Sequence, residues 1–194
     1  MLLATQLTAR LCRLPALLSP LCYALLTLGL ACTLTGCASP DISDYTGREP
    51  AFAPEEFFQG DLTAHGVVKD RSGKVTRHFN ATIDASWNDG VGTLKERFVF
   101  DDGEIQWRTW TLTPTSETTF DATAGDVLGT GRGKVAGNAL NLNYTLEIDY
   151  KDDKLALDVD DWMWRVSPEV VINQSILRKW GFRVGSIQLV IEKR

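Results

Sequence analysis

Val75-Thr76-Arg77-His78-Phe79-Asn80-Ala81-Thr82-Ile83-Asp84-Ala85-Ser86-Trp87 decides the fold. Val75, Phe79, Ala81, Ile83, Ala85 and Trp87 share one face, and Thr76, His78, Asn80, Thr82, Asp84 and Ser86 share the other. An apolar row that repeats every second residue is the pattern of a strand with one dry and one wet face.

The same pattern recurs down the chain. Leu140, Leu142, Tyr144, Leu146, Ile148 and Tyr150 alternate with polar residues, and Leu155, Leu157, Val159, Asp161 and Met163 form a further row. Turn residues separate the runs: Arg71-Ser72-Gly73, Asn88-Asp89-Gly90, Asp101-Asp102-Gly103, Thr113-Pro114, Ala136-Gly137-Asn138 and Lys151-Asp152-Asp153. Strands are predicted over 57–68, 75–87, 93–100, 104–112, 118–124, 127–135, 139–150 and 154–164, with a last one over 183–192. Between them, Ser167-Pro168-Glu169 reads as a helix start. Ile172, Ile176 and Trp180 recur every four residues, and Gly181 stands as a C-terminal cap.

Sequential strands joined by short turns predict an all-β, lipocalin-like up-and-down barrel of 8–9 strands over 55–194, with one short helix before the last strand. A two-sheet sandwich competes, but its crossovers would need longer connections. The glycines at 125, 129, 131, 133 and 137 fit a bent strand at a barrel corner, since their spacing matches no nucleotide-binding loop.

Upstream of this domain the composition changes. Residues 1–36 contain no acid, and Arg10 and Arg13 precede the apolar run Leu14–Leu30. Leu34-Thr35-Gly36-Cys37 then closes the leader as a lipobox does. The reading is a lipoprotein signal peptide cleaved before Cys37, which takes the lipid. Pro15, Pro20 and Gly29 interrupt the run and argue against a membrane-spanning helix. Cys12, Cys22 and Cys32 leave with the leader, so no thiol remains for a disulfide, a nucleophile or zinc. Ala38, rather than an acid, follows the lipidated residue, which points to the periplasmic face of the outer membrane. Residues 37–54, with Pro40, Gly47, Pro50 and Pro54, read as a flexible tether.

The chain carries a net charge of −5, which becomes −7 once Arg10 and Arg13 are gone. That balance disfavours nucleic acid as a partner. His65 and His78 are the only histidines and lack ligand spacing, so neither a metal nor a cofactor is expected. No serine sits in a Gly-x-Ser-x-Gly elbow.

Four charged residues interrupt or flank apolar rows. Glu96 falls in register with Leu94, Phe98 and Phe100; Arg108 with Trp110 and Leu112; Asp161 with Val159 and Met163. A charge on a dry face must be paired. Arg108 is therefore expected to meet one or more of Glu96, Asp126 and Asp161 inside the barrel. Trp107, Trp110 and Trp162 are candidates to line a cavity or fill the core, although residues of both parities cannot all point inward.

Leu94-x-Glu96-x-Phe98 with Asp102-Gly103, Arg108-x-Trp110, Gly137-Asn138-Ala139, Asp160-Asp161-Trp162-Met163 and Lys179-Trp180-Gly181 together resemble an uncharacterised family of bacterial lipoproteins, a domain of unknown function. The resemblance covers most of the domain from Phe57 onward; the position of Trp180 is usually Phe in the family. It implies a connection with membrane lipid and carries no catalytic residue. The likeness to lipocalins is one of architecture only, because neither Gly60-Asp61-Leu62 nor Gly66-Val67-Val68 gives their Gly-x-Trp signature.

Three functions follow as expectations. The first is a lipid-anchored barrel that binds a fatty acid, lipid or other apolar small molecule. The second is a structural envelope protein that docks a protein partner. The third is a lipid-modifying enzyme using inward carboxylates, and the absence of a recognisable catalytic constellation favours the binder over the enzyme. Oligomeric state is left open.

Overall fold

Ten alternating runs pair edge to edge and close on themselves. The computed structural model describes residues 39–194; the signal peptide read over 1–36 and the lipidation read at Cys37 lie outside them. The strands are β1 (Gly60–Asp70), β2 (Val75–Asn88), β3 (Val91–Phe100), β4 (Ile105–Pro114) and β5 (Thr119–Thr123). β6 (Val127–Ala136), β7 (Ala139–Tyr150), β8 (Asp153–Ser167), β9 (Val170–Lys179) and β10 (Phe182–Lys193) complete the set. Each pairs antiparallel with the next, and β10 returns to β1 from Leu62↔Lys193 to Asp70↔Gly185. The lipocalin-like up-and-down barrel is therefore present, with ten strands rather than eight or nine.

The extra strand is the segment whose sequence suggests a helix. Val170–Lys179 is β9, and Pro168-Glu169 is the two-residue turn that leads into it. An i, i+4 repeat such as Ile172/Ile176 fits period two as well as period 3.6. The deciding feature is the other parity, where Val171, Asn173 and Ser175 are buried in the barrel. Two of those inward residues are polar, so the dry face is not recognisable as dry. The β-branched run Val170-Val171-Ile172 favours the strand locally. Gly181 caps no helix: Trp180 and Gly181, at φ 51° and 81°, form the β9–β10 hairpin turn.

The tether expected over 37–54 is also replaced by structure from Asp41 onward. A 3-10 turn, Ile42–Tyr45, is capped by the Asp41 carboxylate. Tyr45 packs on Trp162 and Trp164 outside the wall, with ring centroids 5.6 and 6.3 Å apart. The Phe52 amide donates to the Gly137 carbonyl at 2.7 Å, and the segment ends in a one-turn helix, α1 (Pro54–Phe57). Composition is a poor guide here because three aromatics and backbone hydrogen bonds hold a proline- and glycine-containing strap in place.

That strap closes one end of the barrel. Phe52, Phe57 and Phe58 are buried together, with centroids 5.2 to 5.9 Å apart. Buried Arg165 ties the plug to the wall by donating to the Ala51 carbonyl at 2.9 Å, to Glu56 at 2.7 Å and to the Pro168 carbonyl at 3.0 Å. The Trp87 indole donates to the Phe58 carbonyl at 2.8 Å. With ten strands running up and down, both the strap and the last residue of β10 lie at this end, and among the described residues the opposite end consists of hairpin tips. Residues 40–194 form one unit that contains every strand and the plug, so it holds all that its core requires.

Outside, the wall is polar: Thr76, Asn80, Thr82 and Asp84 are exposed while Phe79, Ala81, Ile83 and Ala85 are buried. A barrel that spans a membrane shows the reverse, an apolar outer band. Glycine inside the wall makes room for rings, because a Cβ on Gly133 would overlap the Phe120 ring. Replacing the fully buried Phe57 by Ala should cost about 3–5 kcal/mol. Chemical denaturation of residues 39–194 measures it; a change below ~1 kcal/mol would mean that the plug is not part of the cooperative core.

Candidate functional site

The barrel interior is dry at the plugged end and grades into a cavity toward the hairpin tips. Leu62, Ala64, Leu94, Leu112 and Leu140 are at most 5% exposed, whereas Val68, Phe98 and Phe100 nearer the tips are only half-buried. The cavity has a volume of about 150 Å³, and its mouth lies beside Phe100 and exposed Gln106. Aromatic rings form much of the lining: Phe79, Phe98 and Phe100 pack against one another at centroid distances of 5.5 to 6.4 Å. Trp110 meets Tyr144 edge-on at 5.2 Å.

Three of the four charged residues singled out from sequence, Glu96, Arg108 and Asp161, line this cavity. Glu96 on β3 stands directly across from Arg108 on β4. Arg108 is claimed by the fourth residue, Asp126, in the turn before β6: Nε donates to both carboxylate oxygens at 3.1 and 2.9 Å, and Nη2 to one at 2.6 Å. Burial opposes the guanidinium charge, but the bonds to Asp126 and the nearby Glu96 carboxylate keep it protonated.

Asp161 is solvated by the protein itself. Its Oδ1 accepts from Asn173 Nδ2 at 2.5 Å and from the Ser175 hydroxyl at 2.8 Å. Ser175 is its cross-strand partner in the β8–β9 register, and Asn173 lies one step along the same face. Both escaped sequence reasoning because they fall in the segment expected to be helical. The signal was Val171-x-Asn173-x-Ser175, an inward row with polar members opposite the one buried acid of β8.

Burial pushes the Glu96 carboxyl up to about 7 against the pull of Arg108. Burial likewise raises Asp161 to about 6, although Asn173 and Ser175 favour its ionised form. Tyr144, also raised by burial, stays a protonated phenol. With Arg108 engaged by Asp126 and Asp161 held by two donors, Glu96, which the Trp110 indole supports, and the Tyr144 hydroxyl stand deep in the cavity, and Gln106 stands at its mouth.

The tryptophan candidates divide. Trp110 lines the cavity. Trp107 does not: it is 72% exposed on the outer wall, with the Arg97 guanidinium 5.6 Å from its ring. Trp162 is buried but on the outside, stacked on Trp164 at 5.9 Å beneath Tyr45 of the strap. Its neighbours Asp161 and Met163 take the inward positions.

The pKa directions have a consequence for stability. Glu96 and Asp161 bind protons more tightly in the folded chain than in the unfolded one, where values of 4.5 and 3.8 apply. Their contribution is complete below about pH 4 and is lost as pH rises through about 6 and 7. Glu96→Gln keeps the shape and removes the ionisation. It should therefore raise the melting temperature at pH 8 relative to the parent and leave it nearly unchanged at pH 4. Equal shifts at both pH values would show that Glu96 is not ionising in a desolvated site.

Comparison with known proteins supports this architecture. The family described as "Protein of unknown function (DUF3833)" matches over residues 31–193, and the chain belongs to it. Among solved structures, the chain is similar to the S-type phycobiliprotein lyase from Guillardia theta, with a TM-score of 0.55 at 14% identity over 80% of this chain and 98% of that one. It is also similar to a DUF3598-family protein of unknown function from Nostoc punctiforme, with a TM-score of 0.50 at 13% identity. That match covers 75% of this chain and 51% of the other, so this chain spans about half its length. No curated protein matches the chain in sequence. At these identities the likeness establishes a shared fold.

Proposed function

We propose that this DUF3833 family member binds a compact apolar molecule, or the end of a longer one, through a polar group that meets Glu96 and Tyr144. The observation that carries the reading is a cavity open at one end, walled by aromatic rings and holding Glu96 and the Tyr144 hydroxyl deep inside. Concave, mostly apolar sites with a few convergent polar groups are the usual form of small-molecule sites. Size limits the ligand. An engineered cavity of about 150 Å³ in another protein holds benzene, so a long acyl chain would extend through the mouth.

Charge limits it too. Glu96 and Asp161 disfavour a ligand carboxylate, since a third acid would have to be desolvated beside two others. A neutral or hydrogen-bond-donating group suits the site better, which favours an amide, alcohol or amine over a free fatty acid. The similar fold of a phycobiliprotein lyase is consistent with a barrel that takes part in small-molecule chemistry. The reading does not depend on that activity.

The lipobox ending at Cys37, with Ala38 after it, supports placing this binder on the periplasmic face of the outer membrane. Palmitate labelling of the parent and of Cys37→Ala tests the anchor: label that survives the substitution refutes it.

For the cavity, native mass spectrometry of residues 39–194 purified without organic solvent should find a bound small molecule. Binding of the neutral amine N-phenyl-1-naphthylamine should exceed that of palmitate at pH 7.5. Met163→Trp, which fills the cavity from β8, should abolish binding of the amine with little loss of stability. Undiminished binding in that variant would place the ligand elsewhere.

A further inference from the structure

The large apolar side chains that remain exposed are not scattered. All but Val166 sit at the mouth end of the barrel, on or beside the hairpin tips. The most exposed are Trp180 at 85% and Phe182 at 76%, both on the β9–β10 tip, with Tyr150 at the neighbouring β7–β8 tip and Val184 just inside.

Trp180 contributes little to the fold where it stands. It occupies a left-handed backbone position, φ 51°, which costs an L-residue free energy and which Asn or Gly would fill more cheaply. Among the described residues its ring meets no other ring, and the Lys179 ammonium lies 5.5 Å from it. A bulky aromatic kept at such a position is explained by something outside the chain.

Charge indicates what. The chain carries −5 overall, yet Val170–Ile191 contains no Asp or Glu, and Lys179 and Arg183 flank the two aromatics, with Arg178 one step inward and 3.6 Å from Asp160 of β8. On the next tip Lys151 stands 5.3 Å from the Tyr150 ring and Lys154 pairs with Asp149 at 2.6 Å, while exposed Asp152 and Asp153 make that tip one of mixed sign. Across the mouth the β3–β4 tip is acidic, with Asp101, Asp102 and Glu104, and Arg77 bridges the last two at 2.8 and 2.7 Å. The mouth thus has a basic, aromatic arc at the β9–β10 tip and an acidic arc at the β3–β4 tip, near which Ile105 and Trp107 are also exposed, with the β7–β8 tip of mixed sign beside the former. Trp and Tyr beside Lys and Arg is the composition that settles at a bilayer interface, with rings at headgroup depth and cations on phosphates.

We propose that the β9–β10 arc, Arg178 to Val184, docks the mouth of the barrel on a bilayer that contains anionic lipid. The acidic arc is then tilted away from the surface. A ligand dissolved in that bilayer reaches the cavity without crossing water. Only this last consequence rests on the ligand-binding reading; docking itself does not require a ligand.

The test uses residues 39–194, which lack the lipid-bearing cysteine, and sedimentation with vesicles. Vesicles of phosphatidylglycerol and phosphatidylethanolamine should carry the protein down and shift its tryptophan emission to the blue; pure phosphatidylcholine vesicles should bind it at least about tenfold more weakly. Trp180→Asn with Phe182→Thr, a pair suited to a left-handed position and a strand, should lower binding roughly tenfold or more with the melting temperature unchanged. Lys179→Glu with Arg183→Glu should remove the preference for phosphatidylglycerol.

No vesicle binding by the parent overturns the proposal, and so does binding indifferent to both double variants. A concentration-dependent dimer abolished by Trp180→Asn/Phe182→Thr would overturn it in favour of a second copy of the chain as the occupant. Binding of N-phenyl-1-naphthylamine without vesicles is measured on the same variants. Its retention in the rim variants, or its loss in Met163→Trp alone, separates failure of docking from failure of the ligand site.

Discussion

Charge buried among apolar side chains is the constraint to which the rest of this structure answers. Asp161 faces the interior of a barrel that offers it little water, and an isolated carboxylate there would be costly. The cost is offset by Asn173 and Ser175 on the next strand, both of which donate to it. Arg108 and Asp126 solve the same problem across a strand and a turn. Removing one member of such a pair leaves its partner uncompensated, which makes these residues more consequential to the fold than their number suggests. Glu96, left with the weaker support of Arg108 across the ladder, is the group the barrel holds least securely in ionised form.

Much of this was legible in the alternation. The rows in β2, β7 and β8 defined the wall, and the charged interruptions at Glu96, Arg108 and Asp161 marked where the interior turns polar. Reading failed where the inward face itself was polar. In β9, Asn173 and Ser175 erased the contrast between faces, and Ile172 and Ile176 on the outer wall then imitated a helix. Parity alone separated Trp110, which points in, from Trp107, which points out, three residues apart on one strand. Parity also places Trp162 on the outer face but does not give its burial. It is buried because the strap folds over the outer wall, and a contact so distant in sequence leaves no local trace.

The strap divides the barrel into two unlike ends. At one, aromatic residues from outside the sheet fill the bore and are fastened by buried Arg165 with three acceptors and by the Trp87 indole. At the other, the bore stays open and the strands are joined only by tips. Function at the open end can therefore change through tip residues without disturbing the packing below.

Closure of β1 on β10 has a further consequence, for the time the chain needs to fold. Every other strand pair joins neighbours in sequence and can form as a hairpin, but Leu62 must find Lys193 from almost the far end of the domain. Contacts between such distant residues are slow to form because the loop entropy is lost before the contact repays it. Until they form, β1 and β10 are open edges able to recruit strands from other molecules. The plug meets the same seam at one point, where Lys193 donates to the Glu56 carbonyl. The seam that closes the wall thus also carries one of the contacts that seat the plug.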